Sequence, residues 1–153
     1  MLRLYSENLG DPFNSISNYG WNNLLRTELL PLSFTKDKMQ WIPNYLHHLI
    51  GGGMLYTAMK EWYKEHNFPL PWLFSSVTVM GQYLFNEVME TGPHEGYSVD
   101  EVVDIYIFDL GGIILFRFDS INEFFSKTLN LSDWSLQSYV TKWEGKCRTV
   151  FFN

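Results

Sequence analysis

Apolar residues recur at helical spacing through most of this chain. From Pro43, "NYLHHLIGGGMLYTAMKEWYKEH" keeps an apolar stripe as far as Asn67, and "NFPLP" then breaks it. "WLFSSVTVMGQYLFNEVMET" predicts a second helix, closed by Gly92-Pro93. "SVDEVVDIYIFDLGGIILFRF" predicts a third, with Ser98 and Glu101 spaced as a capping box and Asp100 at the positive end of the helix dipole. "SINEFFSKTL" reads as a short amphipathic fourth, and Ser132-Asp133 opens whatever follows. Ahead of these, "WNNLLRTELL" predicts a short helix stopped by Pro31, followed by the polar connection "SFTKDKMQW". Residues 1–20, rich in Asn, Ser and Gly, read as irregular. At the other end "QSYVTKW" and "CRTVFFN" flank the turn "EGK" and have β-like composition. The expected fold is mainly α: a compact bundle of four or five short helices with an irregular N-terminus and a β-like C-terminal tail. Its segments would be 1–40, a helical core over 41–135, and a tail over 136–153.

Helical wheels at about 100° per residue sort the faces. In the second helix Ser75, Thr78, Gln82, Asn86 and Glu90 share one side, and Leu73, Val77, Met80, Leu84 and Val88 the other. A polar stripe so poor in charge suits an inward face, where neutral polar and small residues let helices pack, with plain solvent exposure as the alternative. In the third helix Asp104 aligns with Ile107, Phe108, Gly111 and Leu115, whereas Asp109 points nearer the wet side. In the first, His48 aligns with Asn44, Gly52, Leu55 and Met59, and His47 with Gly51, Met54 and Ala58. Three successive glycines in a helix cost about 1 kcal/mol each against alanine. A neighbour that must come close would explain them, and so would a real break in the segment.

Charge sharpens the picture. Residues 85–109 hold seven carboxylates and no lysine or arginine, within a chain of net charge −6. Candidate chemistry therefore gathers on three consecutive helices: His47 or His48, Glu87 or Glu90, and Asp104. Such groups can pair with one another, bind a divalent metal through nitrogen and oxygen (His47, His48 and Glu87 as ligands), or work as acid and base (Glu90 and Asp104). The spacing matches no metal motif and leaves any cofactor unknown. His66 and His94 read as exposed or loop residues, and Cys147, the single cysteine, as an ordinary thiol. No basic stripe exists, which excludes nucleic acid as a partner. No phosphate loop, Gly-x-Ser-x-Gly or Cys-x-x-Cys is present. "MLRLYSENLGDPFNS" lacks the apolar region of a secretory signal, and no uninterrupted apolar run reaches the ~18 residues of a spanning helix. An aromatic content of 18% suits a large interface or a membrane–water boundary.

The order "PNYLHHLIGGGMLY", "NEVMETG", "EGYSVDEVVDIYIFDLGGIILF" resembles a family of Bacteroidota-type envelope proteins in which a helical, partly membrane-embedded module precedes an outer-membrane β-barrel. The similarity covers roughly residues 40–135, and "CRTVFFN" looks like the start of a first barrel strand. More distantly the pattern is similar to VanZ-like membrane domains, which carry Asp-Lys ahead of the histidine where this chain has Pro43-Asn44. The resemblance implies an envelope location, at the outer membrane or its periplasmic face, with membrane lipid and a protein partner. The leading expectation is an envelope-associated structural or interaction module in an outer-membrane assembly. Its rivals are a metal- or acid/base-dependent enzyme acting on a lipid-like or cell-wall substrate, and a soluble cytoplasmic helical protein.

Overall fold

The computed structural model describes residues 8–31, 40–90 and 99–131, with backbone alone at Val88, Glu90 and the strand residues 139–143 and 146–150. Ser98, His94 and Ser132-Asp133 lie outside the described residues, as do most of "SFTKDKMQW" and the side chain of Cys147. The chain is mainly helical, as its periodicity predicts.

Helix α1 spans Pro12–Tyr19, inside the segment expected to be irregular. Its signals are local. Asp11 Oδ1 accepts from the Asn14 amide at 3.2 Å, Pro12 sits in the first turn, and Gly20 at φ 96° ends the helix with its N–H on the Ile16 carbonyl. Helix α2 runs Trp21–Leu24 and continues with the wider i→i+5 π-helical bonding over Leu25–Leu29. Helix α3 is π-helical over Ile42–Gly51 and α-helical over Gly52–Glu65. Helix α4 is Pro71–Glu90. Helix α5 joins Asp100–Val103, a π-helical Asp104–Asp109 and Leu110–Leu115. Val99 is its N-cap residue, without a side-chain cap, while Asp100 and Glu101 occupy the first turn as expected. Helix α6 joins Asp119–Glu123 to a π-helical Phe124–Thr128. The backbone of Tyr139–Trp143 pairs antiparallel with Lys146–Val150.

Two apolar clusters hold the bundle. One joins Ile16, Leu24, Val99, Val102, Val103 and Phe108, which ties α1 and α2 to α5. The other joins Tyr56, Val79, Tyr83, Ile105, Ile113 and Phe116, where α3, α4 and α5 meet. Helix α4 turns Ser75, Val79 and Tyr83 inward, and Thr78 bonds the Tyr63 hydroxyl at 2.7 Å. Of its expected polar stripe, Ser75 is buried and Gln82 is exposed; of its apolar stripe, Leu73, Val77 and Leu84 face out. Among the described residues, no helix is long and apolar enough to cross a membrane.

The glycines set the distance between α3 and α5. A Cβ on Gly112 would collide with the carbonyl oxygen of Leu49, and one on Gly53 would fall into the Phe116 ring. A Cβ on Gly52 would press on Tyr83 at 3.3 Å. Backbone against backbone has nowhere to move, so helix propensity gives way to packing here. Gly112→Ala and Gly53→Ala should therefore each lower stability by about 1–3 kcal/mol or more, Gly112→Ala the more severely. Gly81→Ala, at a position with open space, should gain up to about 1 kcal/mol. Thermal melts of the three variants check this order.

Candidate metal centre

His48 lies at the middle of three carboxylates. Its Nδ1 is 2.9 Å from Asp109 Oδ1, and its Nε2 is 3.6 Å from Asp104 Oδ2 and 3.9 Å from Glu87 Oε1. One ligand atom from each of His48, Glu87 and Asp104 falls within a 4.8 Å span. The side chains of His48 and Asp104 are 7% and 6% exposed, Glu87 is 13% exposed, and Asp109 is fully buried.

Helix geometry explains how two aspartates five residues apart reach one imidazole. On an α-helix they would stand about 140° apart around the axis. The π-helical turn over Asp104–Asp109 closes i→i+5 bonds, so residues five apart come round to the same side. This corrects the expectation that Asp109 lies toward water. Helix α3 presents His48 from its own π-helical stretch, and α4 brings Glu87 from its last turns.

His47 does not join the group. Successive helical residues diverge by about 100°, so only one of two adjacent histidines can point inward. His47 is exposed, its ring edge-on to His48 at 4.9 Å and to Tyr83 at 5.7 Å. Glu90 continues the α4 backbone, and its side chain lies outside the described residues. His66, exposed as expected, caps the end of α3 by bonding the Trp62 carbonyl at 2.8 Å. Two site residues escaped the sequence reading. Asp109 is one; Tyr83 is the other, packing against both histidine rings and donating to the His47 carbonyl at 3.3 Å. The five-residue spacing of Asp104 and Asp109 was the available signal for the first.

Burial dominates the electrostatics. It pushes Asp104 up to about 8, against the opposing pull of His48 and with help from Asp100, Glu87 and Asp109. Asp109 is also raised by burial, its bond to His48 opposing. For His48 burial works downward, but the Asp109 bond and the charges of Asp104, Asp109 and Glu87 outweigh it, so its pKa rises. Asp104 Oδ1 and Asp109 Oδ2 are buried acceptors with no hydrogen-bond donor. A buried carboxylate in that state needs a proton or a cation.

The donor set suits a divalent ion of borderline hardness. With Asp109 holding Nδ1–H, His48 offers its Nε2 lone pair to the side where Glu87 and Asp104 stand. One neutral imidazole, two carboxylates and a dication sum to zero charge. Donors about 2.1 Å from an ion at tetrahedral angles stand about 3.4 Å apart; the two separations from His48 Nε2 are 3.6 and 3.9 Å, and all three donors lie within 4.8 Å of one another. Without an ion, the same groups form an acid–base cluster in which His48 shares protons with three acids. No protein-family model matches this chain, nor does any curated protein or solved structure.

The metal-free protein should lose stability as pH rises. Asp104, Asp109 and His48 all have folded pKa values above their ordinary ones, so the folded state holds their protons more tightly. For Asp104 the loss begins near its ordinary 3.8 and is complete above about 8. Denaturant titrations of chelator-treated protein across that window should show a declining midpoint, and Asp104→Asn should flatten the decline. A midpoint that climbs with pH would contradict the assignment.

Proposed function

We propose that this chain is a divalent-metal-dependent helical enzyme of the bacterial envelope, acting at a lipid surface on a lipid-like or cell-wall substrate. One juxtaposition supports it: His48, Glu87 and Asp104 converge within 4.8 Å, with Asp109 fixing the imidazole from behind. Three protein donors leave a coordination position for water, and a bound dication would lower that water's pKa toward neutrality, the chemistry of metal-assisted hydrolysis. Glu87 is the most exposed of the three donors, at 13%. Asp104 keeps a proton until a cation replaces it, and Asp109 holds the histidine tautomer that leaves Nε2 free. The envelope location rests on the resemblance of residues 40–135 to envelope modules.

A second reading, an envelope interaction module, draws on the outward face of α4. Trp72, Leu73, Phe74, Val77, Leu84, Phe85 and Met89 are all exposed on a helix about 30 Å long. An uncharged row of that length suits lipid or an apolar partner. Trp62, Phe68 and Leu70 extend it around the turn before α4. In the enzyme reading this face brings the metal centre to its substrate; in the module reading it is the function itself.

Elemental analysis of the detergent-purified chain, with melting temperature before and after chelation, separates the two. A stoichiometric metal whose removal lowers the melting point supports the enzyme reading. Asp109→Asn should then weaken metal affinity by about 10–100-fold without unfolding the chain. A metal-free protein, unchanged by chelation and by added divalent ions, would leave only the module. Flotation with phosphatidylcholine vesicles tests the surface: the wild-type chain should float, and Val77→Glu/Phe85→Glu should not.

A further inference from the structure

Tyr83 touches His48 at its ring and holds the backbone that carries it. It precedes Glu87 by four residues on α4, so the two side chains share the face turned toward α3. Glu87 approaches the imidazole at Nε2. The buried Tyr83 ring lies against the imidazole itself, with centroids 5.2 Å apart and planes tilted by 43°. Its hydroxyl donates to the His47 carbonyl at 3.3 Å. That carbonyl belongs to the peptide unit leading into His48, and it also accepts from the Gly52 N–H, where the π-helical stretch gives way to α-helix. Gly52 makes room for the phenol: a Cβ there would stand 3.3 Å from Tyr83 Cε2, 3.5 Å from its Oη and 3.6 Å from Asp109 Oδ1.

We propose that Tyr83 is a positioning residue for His48, fixing the orientation in which Nδ1 meets Asp109 and Nε2 faces Glu87 and Asp104. The torsion that turns a histidine ring is soft, so the Asp109 bond pins one edge and leaves the ring free to swing. The phenol packed against the ring stops that swing, and its hydroxyl holds the peptide unit from which the side chain springs. A donor oriented before an ion arrives loses less freedom on binding it. A phenylalanine would supply the ring contact without the hydroxyl bond, and a leucine neither. This role rests on the metal-dependent reading for its purpose, but the orientation belongs to the metal-free chain as well.

Two readouts on the chelator-stripped full chain test this. Nuclear magnetic resonance reads the His48 Nδ1 proton, which a fixed bond to Asp109 protects from exchange with water. Titration with Co²⁺, followed by the visible absorption of the bound ion, reads affinity. Tyr83→Leu should lose the proton signal and bind Co²⁺ about 10–100-fold more weakly than wild type. Tyr83→Phe should keep the signal and recover most of the affinity. Val79→Ala opens the same apolar cluster one turn farther from Glu87, and should melt earlier with both readouts unchanged. Should Tyr83→Leu fail to fold, Tyr83→Met takes its place; circular dichroism checks folding. A folded Tyr83→Leu with the wild-type signal and affinity overturns the proposal and leaves Tyr83 as packing alone. So does Val79→Ala matching its losses, or a wild type without the Nδ1 signal. If the wild type takes up no Co²⁺, the metal-dependent function falls, while loss of the signal in Tyr83→Leu still upholds the positioning role.

Discussion

The close approach of α3 and α5 is the constraint on which the rest depends. Gly53 and Gly112 let the two backbones come within the reach of a single imidazole, and Gly52 leaves room for Tyr83 and the Asp109 carboxylate. Only at that separation can the His48 Nδ1–Asp109 bond form at 2.9 Å. Glycines that weaken the isolated helix thus allow an interior the assembled bundle needs, and the conflict between propensity and packing falls at the polar centre.

Around that bond the bundle buries an unusual amount of acid. Glu28, Asp104 and Asp109 are each nearly or wholly removed from water, and burial raises the pKa of all three. A core built for stability alone would place leucine or valine at these positions, because burying a carboxylate without a donor is costly. The polar groups also lie in order along two helices, Asn44 then His48 on α3, Asp100 then Asp104 on α5. A polar interior aligned this way is the natural place for cations or mobile protons, since both are stabilised by the negative potential that destabilises the empty site.

The exterior shows the converse economy. Charged groups needed to coat a wet surface are missing from the outward row of α4, where Val77, Phe85 and Met89 are more than half exposed. Asn67 and Leu70, both at positive φ, hold the turn that carries Phe68 and Leu70 outward next to Trp62 and Trp72. Non-glycine residues in that region are strained. The strain and the exposed apolar area lie together, at the aromatic end of one face.

Much of this was legible in the residues themselves. Apolar spacing and proline breaks placed helices over 43–67, 72–91 and 98–118, where the structure has Ile42–Glu65, Pro71–Glu90 and Asp100–Leu115, and the lysine-free acidic run pointed to the candidate site, because those signals depend only on neighbours along the chain. His48, Glu87 and Asp104 could be chosen as residues on three successive helices, yet their convergence could not be derived. Helix α1 lies within the segment expected to be irregular, although Asp11-Pro12 and Gly20 announce both of its ends. What only the tertiary structure decided is which histidine turns inward, that Asp109 joins it, and that Glu28 from α2 meets Asn44 of α3. For Asp109 the reason is the π-helical turn: α-helical periodicity sets it about 140° from Asp104, and the i→i+5 bonding over Asp104–Asp109 brings the two to one side.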